Sequence, residues 1–351
     1  MIGSKRLMLK HFNGYRMLSS RLLLSVFVLC VLLFTAGCGI FGAKRKIEVP
    51  QLLTPRLDAN KDRLIQEINR LSTVKSIHGK VDIQFEDTSF ASSGVADQYR
   101  LVDGSITLQR PGKIYLIIQF TIVDIAQMTS DGEHFRVAVL RGDEKYKRFV
   151  KGTNSANYPK LTSEATAGAK QKGEKEAVNA LSNLRPQHLT DAFMIRPIEP
   201  NNGLIYAQSE FFQEEPDIRQ GKKGRVMRPY YLLEEFSQNA GDVRMLRRFW
   251  LDRVNGIRLA RVQTYDDNGL LITDVSYYNE KVLGSTTTAS LPSRVEITRP
   301  QDQYKLSISY QDTTAVELNR EYNPKAFVLE NKWGLPEVDL DAQNRKITAN
   351  Q

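Results

Sequence analysis

The sequence predicts a mainly β, α+β protein: a long antiparallel sheet, curled rather than flat, with two short helical segments to cover its apolar face. Three observations carry this expectation. Apolar and polar residues alternate through stretch after stretch of the chain, turn signals rich in Gly, Pro and Asp separate the stretches, and helical spacing is confined to the segments around 60–72 and 177–195. A period of two marks strands with one buried face, and turns this short join antiparallel neighbours. About ten or eleven strands are expected, and a sheet that wide curls instead of staying flat.

The chain opens on a targeting segment. Lys5, Arg6, Lys10, Arg16 and Arg21 precede an uncharged run from Leu22 that closes on Thr35-Ala36-Gly37-Cys38. A basic start, an apolar middle and small residues before a cleavage point make a secretory signal over residues 1–37. The ending resembles a bacterial lipobox, with Thr35 where such motifs usually carry leucine. That resemblance implies that Cys38 receives a diacylglyceryl group and becomes the mature N-terminus. A second reading stays open, because residues 22–41 are uncharged and long enough to cross a bilayer core as an uncleaved anchor. Met17 is an alternative start.

Composition then excludes several function classes. With 41% hydrophobic and 25% charged residues, the 351-residue chain is ordinary globular material and not a disordered one. The net charge of +9 belongs largely to the leader: without its five basic residues, 44 basic face 40 acidic residues, or +4. The electrostatic case for nucleic acid mostly disappears. Cys30 and Cys38 are the two cysteines, so the mature body has no internal disulfide.

Residues 38–59 read as a tether, with Lys44-Arg45-Lys46 followed by Pro50 and Pro55, which favour extended backbone. The basic cluster either lies on anionic headgroups, at about 1 kcal/mol per basic residue, or is a solvated linker. Asn60 is a helix N-cap ahead of Leu64, Ile65, Ile68 and Leu71, which share one face. Strands follow at Val81, Ile83 and Phe85, at Ile106 and Leu108, and at Ile114, Leu116, Ile118 and Phe120 after the Arg110-Pro111-Gly112-Lys113 turn. Phe135, Val137 and Val139 and the stretch 147–151 continue the pattern.

Residues 152–176 hold little to bury and read as a mobile loop. A helical insertion over 177–195 places Ala177, Leu181 and Leu184 on one stripe, then Pro186 at a helix start with Leu189 and Phe193 one turn apart. Strands resume at 203–208, 230–236, 244–252, 257–265 and 270–278, the last pair flanking Asp266-Asp267-Asn268-Gly269. Val295 and Ile297 and the run Tyr304, Leu306, Ile308, Tyr310 form a final hairpin.

This layout resembles the lipoprotein-localisation superfamily, the LolA/LolB-like proteins, over roughly residues 60–342. The echoes are Asp267-Asn268-Gly269 and its strand, Leu291-Pro292-Ser293-Arg294 entering a strand, Tyr304 to Tyr310, Phe327, and Gly334-Leu335-Pro336-Glu337-Val338-Asp339-Leu340; residues 343–351 are a tail. The resemblance implies an unclosed antiparallel half-barrel lidded by helices, with a concave apolar cavity for acyl chains of lipid or lipoprotein. Gly39 follows Cys38 where an aspartate would mark inner-membrane retention in that family. The implied destination is the periplasmic face of the outer membrane; the uncleaved-anchor reading would instead leave the chain in the inner membrane.

Catalytic and metal motifs fail one by one. Ser72-Thr73-Val74-Lys75 fits S-x-x-K without its partner motifs. His78, His134 and His188 have no ligand spacing, and Asp266-Asp267-Asn268-Gly269 is turn chemistry, so neither a metal, a cofactor nor an enzyme is expected. The aromatic and aliphatic alternation, Phe85, Leu116, Ile118, Phe120, Phe135, Phe249, Trp250, Tyr304 and Tyr310, marks either a ligand cavity or a packed core, and the eight other than Trp250 are the cavity candidates. A hydrophobic-ligand carrier and a solid structural scaffold are therefore the two leading functional readings.

Overall fold

Asn60 accepts the Arg63 N–H at 3.0 Å and starts α1 (Lys61–Ser72), which buries Leu64, Ile68 and Leu71 and leads into the sheet. The computed structural model describes residues 49–349 except 89–96, 99–101, 121, 143, 145–146, 157, 159–183, 200–201, 220, 222–223, 240 and 255, and also residues 25 and 27. The rest of the signal segment, Cys38, the basic cluster, 159–176 of the loop and 177–183 of the helical insertion lie outside the described residues. Met1–Val49 and Pro50–Gln351 form separate units, and the fold is that of the second.

The first half of the sheet comprises β2 (Ser76–Asp87), β3 (Asp97–Gln98), β4 (Val102–Gln109), β5 (Lys113–Phe120), β6 (Val123–Asp131), β7 (His134–Val139) and β8 (Arg148–Thr153). The second half comprises β9 (Ile205–Pro216), β10 (Arg225–Asn239), β11 (Asp242–Asp252), β12 (Arg258–Tyr265), β13 (Leu271–Leu283), β14 (Ala289–Arg299) and β15 (Tyr304–Tyr310). Helix α2 (Pro186–Phe193) lies between the halves in sequence. The short strands β1 (Gln51–Leu52), β16 (Glu317–Leu318) and β17 (Glu337–Asp339), a 3-10 turn at Pro324–Phe327 and α3 (Leu340–Ala349) complete the body.

Each half is a meander, and β15 joins them by pairing antiparallel with β2 in the register Ile308–Ile83. The long strands therefore run β9-β10-β11-β12-β13-β14-β15-β2-β4-β5-β6-β7-β8. At the ends, β9 pairs with β10 and β17 with β8, and β9 and β17 do not pair with each other, so the sheet is an unclosed half-barrel. Among the described residues two pairings are parallel, β1 with β10 and β17 with β8, both made by short strands outside the meanders.

Among the described residues, thirteen strands have six or more residues, against the ten or eleven expected. The strand that alternation misses is β6, because residues 126–130 are buried on both faces. Its inner face meets the core, while its outer face is covered by the 3-10 turn and the segment after it, whose Leu329 N–H donates to Thr129 Oγ1 at 3.2 Å. The tether also ends earlier than expected: β1 adds to the sheet, Leu53 is buried, and Leu57 and Asp58 are held by the buried Arg253. The tail is helical in α3, whose start Asp339 caps by accepting the Ala342 N–H.

β8 and β9 are consecutive along the chain yet stand near opposite edges of the sheet. Between them in sequence, α2 lies on the concave face against β5, β6 and β14. Arg110 secures its far end, with Nε donating to the Val74 carbonyl and Nη1 and Nη2 to those of Met194 and Ile195, each at 2.9 Å. Tyr277 Oη donates to the Ala192 carbonyl at 2.8 Å, and Asn69 exchanges two hydrogen bonds with the Ile198 backbone.

Candidate functional site

Helix α2 begins where Pro186 presets its first turn, with Arg185 at the N-cap and no side chain capping it. Leu189 is fully buried in the core, whereas His188, Asp191 and Ala192, at i, i+3 and i+4, and Ile195 just past the helix line a void of about 510 Å³. The opposite wall is the concave face of β12 and β13, with Val262, Val275, Tyr277 and Ile272 supplying apolar surface. Arg247 enters from β11, and Arg299 and Asp302 from the β14–β15 turn. Arg185 and Tyr158 close the side toward the first half of the sheet.

The charges at this void are held in distinct ways. Arg247 donates Nε and Nη2 to the two carboxylate oxygens of buried Glu235, at 2.7 and 2.6 Å. Arg299 donates Nε to Asp302 at 2.8 Å and Nη1 to Thr273 Oγ1 at 2.6 Å. Arg185 instead places its guanidinium over the rings of Phe135 and Tyr158, 5.1 Å from each centroid, and its buried Nη1 has no hydrogen-bond partner among the described residues. Burial pushes its pKa down.

His188 is buried, with Nδ1 2.9 Å from Tyr304 Oη. Burial first, then the nearby Arg299 and Arg185, hold its pKa well below the usual histidine range, so it is neutral. Asp191 shows accessible surface, yet it lines the void and protein packed around it pushes its carboxyl pKa up against the pull of Arg196, Arg247 and Arg299. An apolar wall beside a ring of arginines suits an amphipathic guest.

Of the eight residues proposed to line a cavity, Phe85, Leu116, Ile118, Phe135, Phe249, Tyr304 and Tyr310 all belong to one continuous buried core. Phe85 stacks on Tyr304 with ring centroids 5.7 Å apart. Phe120 is 44% exposed, because the β5–β6 register shifts between Ile118 and Gln119 and breaks the alternation there. The larger void is lined by none of the eight; Tyr310 borders a small hollow of about 20 Å³ with Phe193 and Ile195. Cys38, the lipidation candidate, lies outside the described residues.

Arg185, Asp191, Arg247 and Arg299 were not singled out from sequence, and His188, weighed there only as a metal ligand and set aside as a surface or strand histidine, is instead a buried helix residue. One signal did exist: the period of two that turns Phe249 inward also turns Arg247 inward, and its guanidinium sits 5.0 Å from the Phe249 ring centroid. Among the described residues, no group of three or more metal-ligating side chains is assembled, and no helix is long and apolar enough to cross a membrane.

No protein-family profile matches the chain, and no curated protein matches it. Among solved structures, it is similar to a LolA superfamily protein from Nitrosomonas europaea, at 13% identity and a TM-score of 0.39 over 78% of this chain and 99% of that one. A Vibrio parahaemolyticus domain provisionally described as an outer membrane lipoprotein-sorting protein gives 12% identity and a TM-score of 0.38 over 76% and 94%. A DUF1329 family protein from Desulfovibrio piger gives 10% and 0.40 over 76% and 95%. The first names the superfamily that the sequence resembles. At TM-scores below 0.5 these likenesses carry none of the functional reading, which rests on the geometry of the void.

Proposed function

We propose that the chain is a membrane-tethered, non-catalytic binding protein facing the periplasm, whose half-barrel holds a hydrophobic ligand, the acyl portion of a lipid or lipoprotein, under α2. The observation that carries this reading is the void of about 510 Å³ between α2 and the β12–β13 wall. Val262, Val275, Tyr277, Ile272 and Ile195 offer apolar surface there. At about 25 cal/mol per Å², covering a few hundred Å² of acyl chain supplies several kcal/mol, which suits transient handover. Lipidated Cys38 keeps this body at the outer membrane.

A solid scaffold is the second reading, favoured by the packing of seven of the eight expected lining residues into the core. Native mass spectrometry of the full chain, ejected from membrane vesicles without detergent, separates the two. A lipid-sized mass adduct is expected, and a bare mass in repeated preparations overturns the carrier reading. Radioactive palmitate labelling is expected in the unmodified chain and absent in Cys38→Ser; persistent labelling of the serine form overturns the tether.

A further inference from the structure

Resting on the carrier reading, we propose that the Arg185 end of the void is a subsite for one anionic group, a carboxylate or a phosphate, carried by the ligand. The guanidinium is fixed between Phe135 and Tyr158, so it is aimed before any ligand arrives. Among the described residues its guanidinium makes no hydrogen bond: Nη1 is buried without a partner, and the half-buried side chain lines the void, which leaves its remaining donors for an acceptor there. Arg247 and Arg299 are already matched by Glu235 and Asp302. Among the described residues no carboxylate ion-pairs with Arg185 or with Arg196, the fourth arginine at the void; Arg196 is exposed, whereas Arg185 is half-buried between its two rings.

Two neighbours reinforce the assignment. The first turn of α2 starts at Arg185 with no side-chain cap, so its backbone N–H groups add positive potential at the same end. His188, held neutral beside Tyr304, contributes a polar edge without a competing charge. The apolar wall of Val262, Val275 and Tyr277 adjoins this end, so the geometry selects an anion attached to a hydrocarbon body over a free ion. A charge-assisted bond to a buried guanidinium is stronger than a neutral one, and the preference it creates is at least about tenfold.

The test uses the full chain in phosphatidylcholine nanodiscs, with empty nanodiscs subtracted, and three radiolabelled probes: oleate, oleyl alcohol and inorganic phosphate. Oleate is expected to bind at least about tenfold more tightly than oleyl alcohol. Arg185→Gln should bring the two affinities together, and Arg185→Lys should keep most of the preference, with circular dichroism reporting the fold of each. Equal affinities in the unmodified chain, or a preference that survives Arg185→Gln, overturns the subsite and leaves the carrier reading standing. Binding of phosphate that depends on Arg185, with neither oleyl probe bound, upholds the anion subsite and overturns lipid carriage. Should no probe bind, both fall. If Arg185→Gln does not fold, the oleate-to-alcohol ratio in the unmodified chain and in Arg185→Lys decides.

Discussion

The two halves of the sheet are built from the same alternation and put it to opposite uses. Along β4, β5 and β7 the inward residues Ile106, Leu108, Ile114, Leu116, Val137 and Val139 are sealed, with no more than 1% of any side chain exposed. Along β11 to β14 the inward positions include Arg247, Thr264, Thr273 and Arg299, which border the void, and α2 meets this half at β14 and through Tyr277. One half supplies rigidity and the other supplies space. A packed interior tolerates no missing methylene, whereas a wall beside an open void has already given up those contacts.

Leu116→Ala is the change expected to do most damage. It removes a fully buried side chain from the sealed half and leaves an enclosed cavity, for about 2–5 kcal/mol of lost stability in chemical denaturation. A loss below about 1 kcal/mol would mean that the first half is loosely packed and that the contrast with the second is false.

Arg110→Gln comes next. It strips donors from the carbonyls of Val74, Met194 and Ile195, at about 1–3 kcal/mol, and loosens α2 where it is anchored. Hydrogen exchange should accelerate in α2 while β4, β5 and β7 stay protected. Uniform acceleration across the sheet would show that α2 is part of the core's cooperative unit and not a cover on it.

How much of this was legible in the sequence follows the same divide. The strand face of Val81, Ile83 and Phe85, the Asn60 cap and the Pro186 helix start could be read locally, because each is decided within a few residues. β6 could not, since its burial on both faces depends on Leu329 arriving from far along the chain. The closure of β15 on β2 is likewise a pairing of distant segments that no local period encodes. In β10 and β11 both faces carry aromatic residues and an ion pair, Glu235 with Arg247 inward and Glu234 with Arg248 outward. Neither face looks like the wet one, and the arginines of the void were hidden in that symmetry.

Titration of His188 probes the void from within. Its pKa is lower folded than unfolded, so between the unfolded value of about 6.5 and the depressed folded one the unfolded chain binds the extra proton. Stability should therefore fall as pH drops below about 6.5, by up to about 1.4 kcal/mol per pH unit from this group. Asp191 acts with the opposite sign, because its raised carboxyl pKa favours the folded state at low pH and loses that contribution as pH rises above the ordinary aspartate range. His188→Gln, which keeps a partner for Tyr304, should flatten the slope just below pH 6.5. An unchanged slope would assign it to other groups.

The smallest effect is expected from Ile272→Ala, and it tests the comparison most directly. Ile272 is half-buried and borders the void, so truncating it forfeits the transfer free energy of a few methylenes without creating a new enclosed cavity. The cost should be below about 1 kcal/mol, against about 2–5 for Leu116→Ala. If the two substitutions cost the same, the void is filled in solution and the second half of the sheet is as solid as the first. If Ile272→Ala is cheap and also weakens retention of a bound lipid, stability and binding are separable along the sheet, with α2 marking the boundary between them.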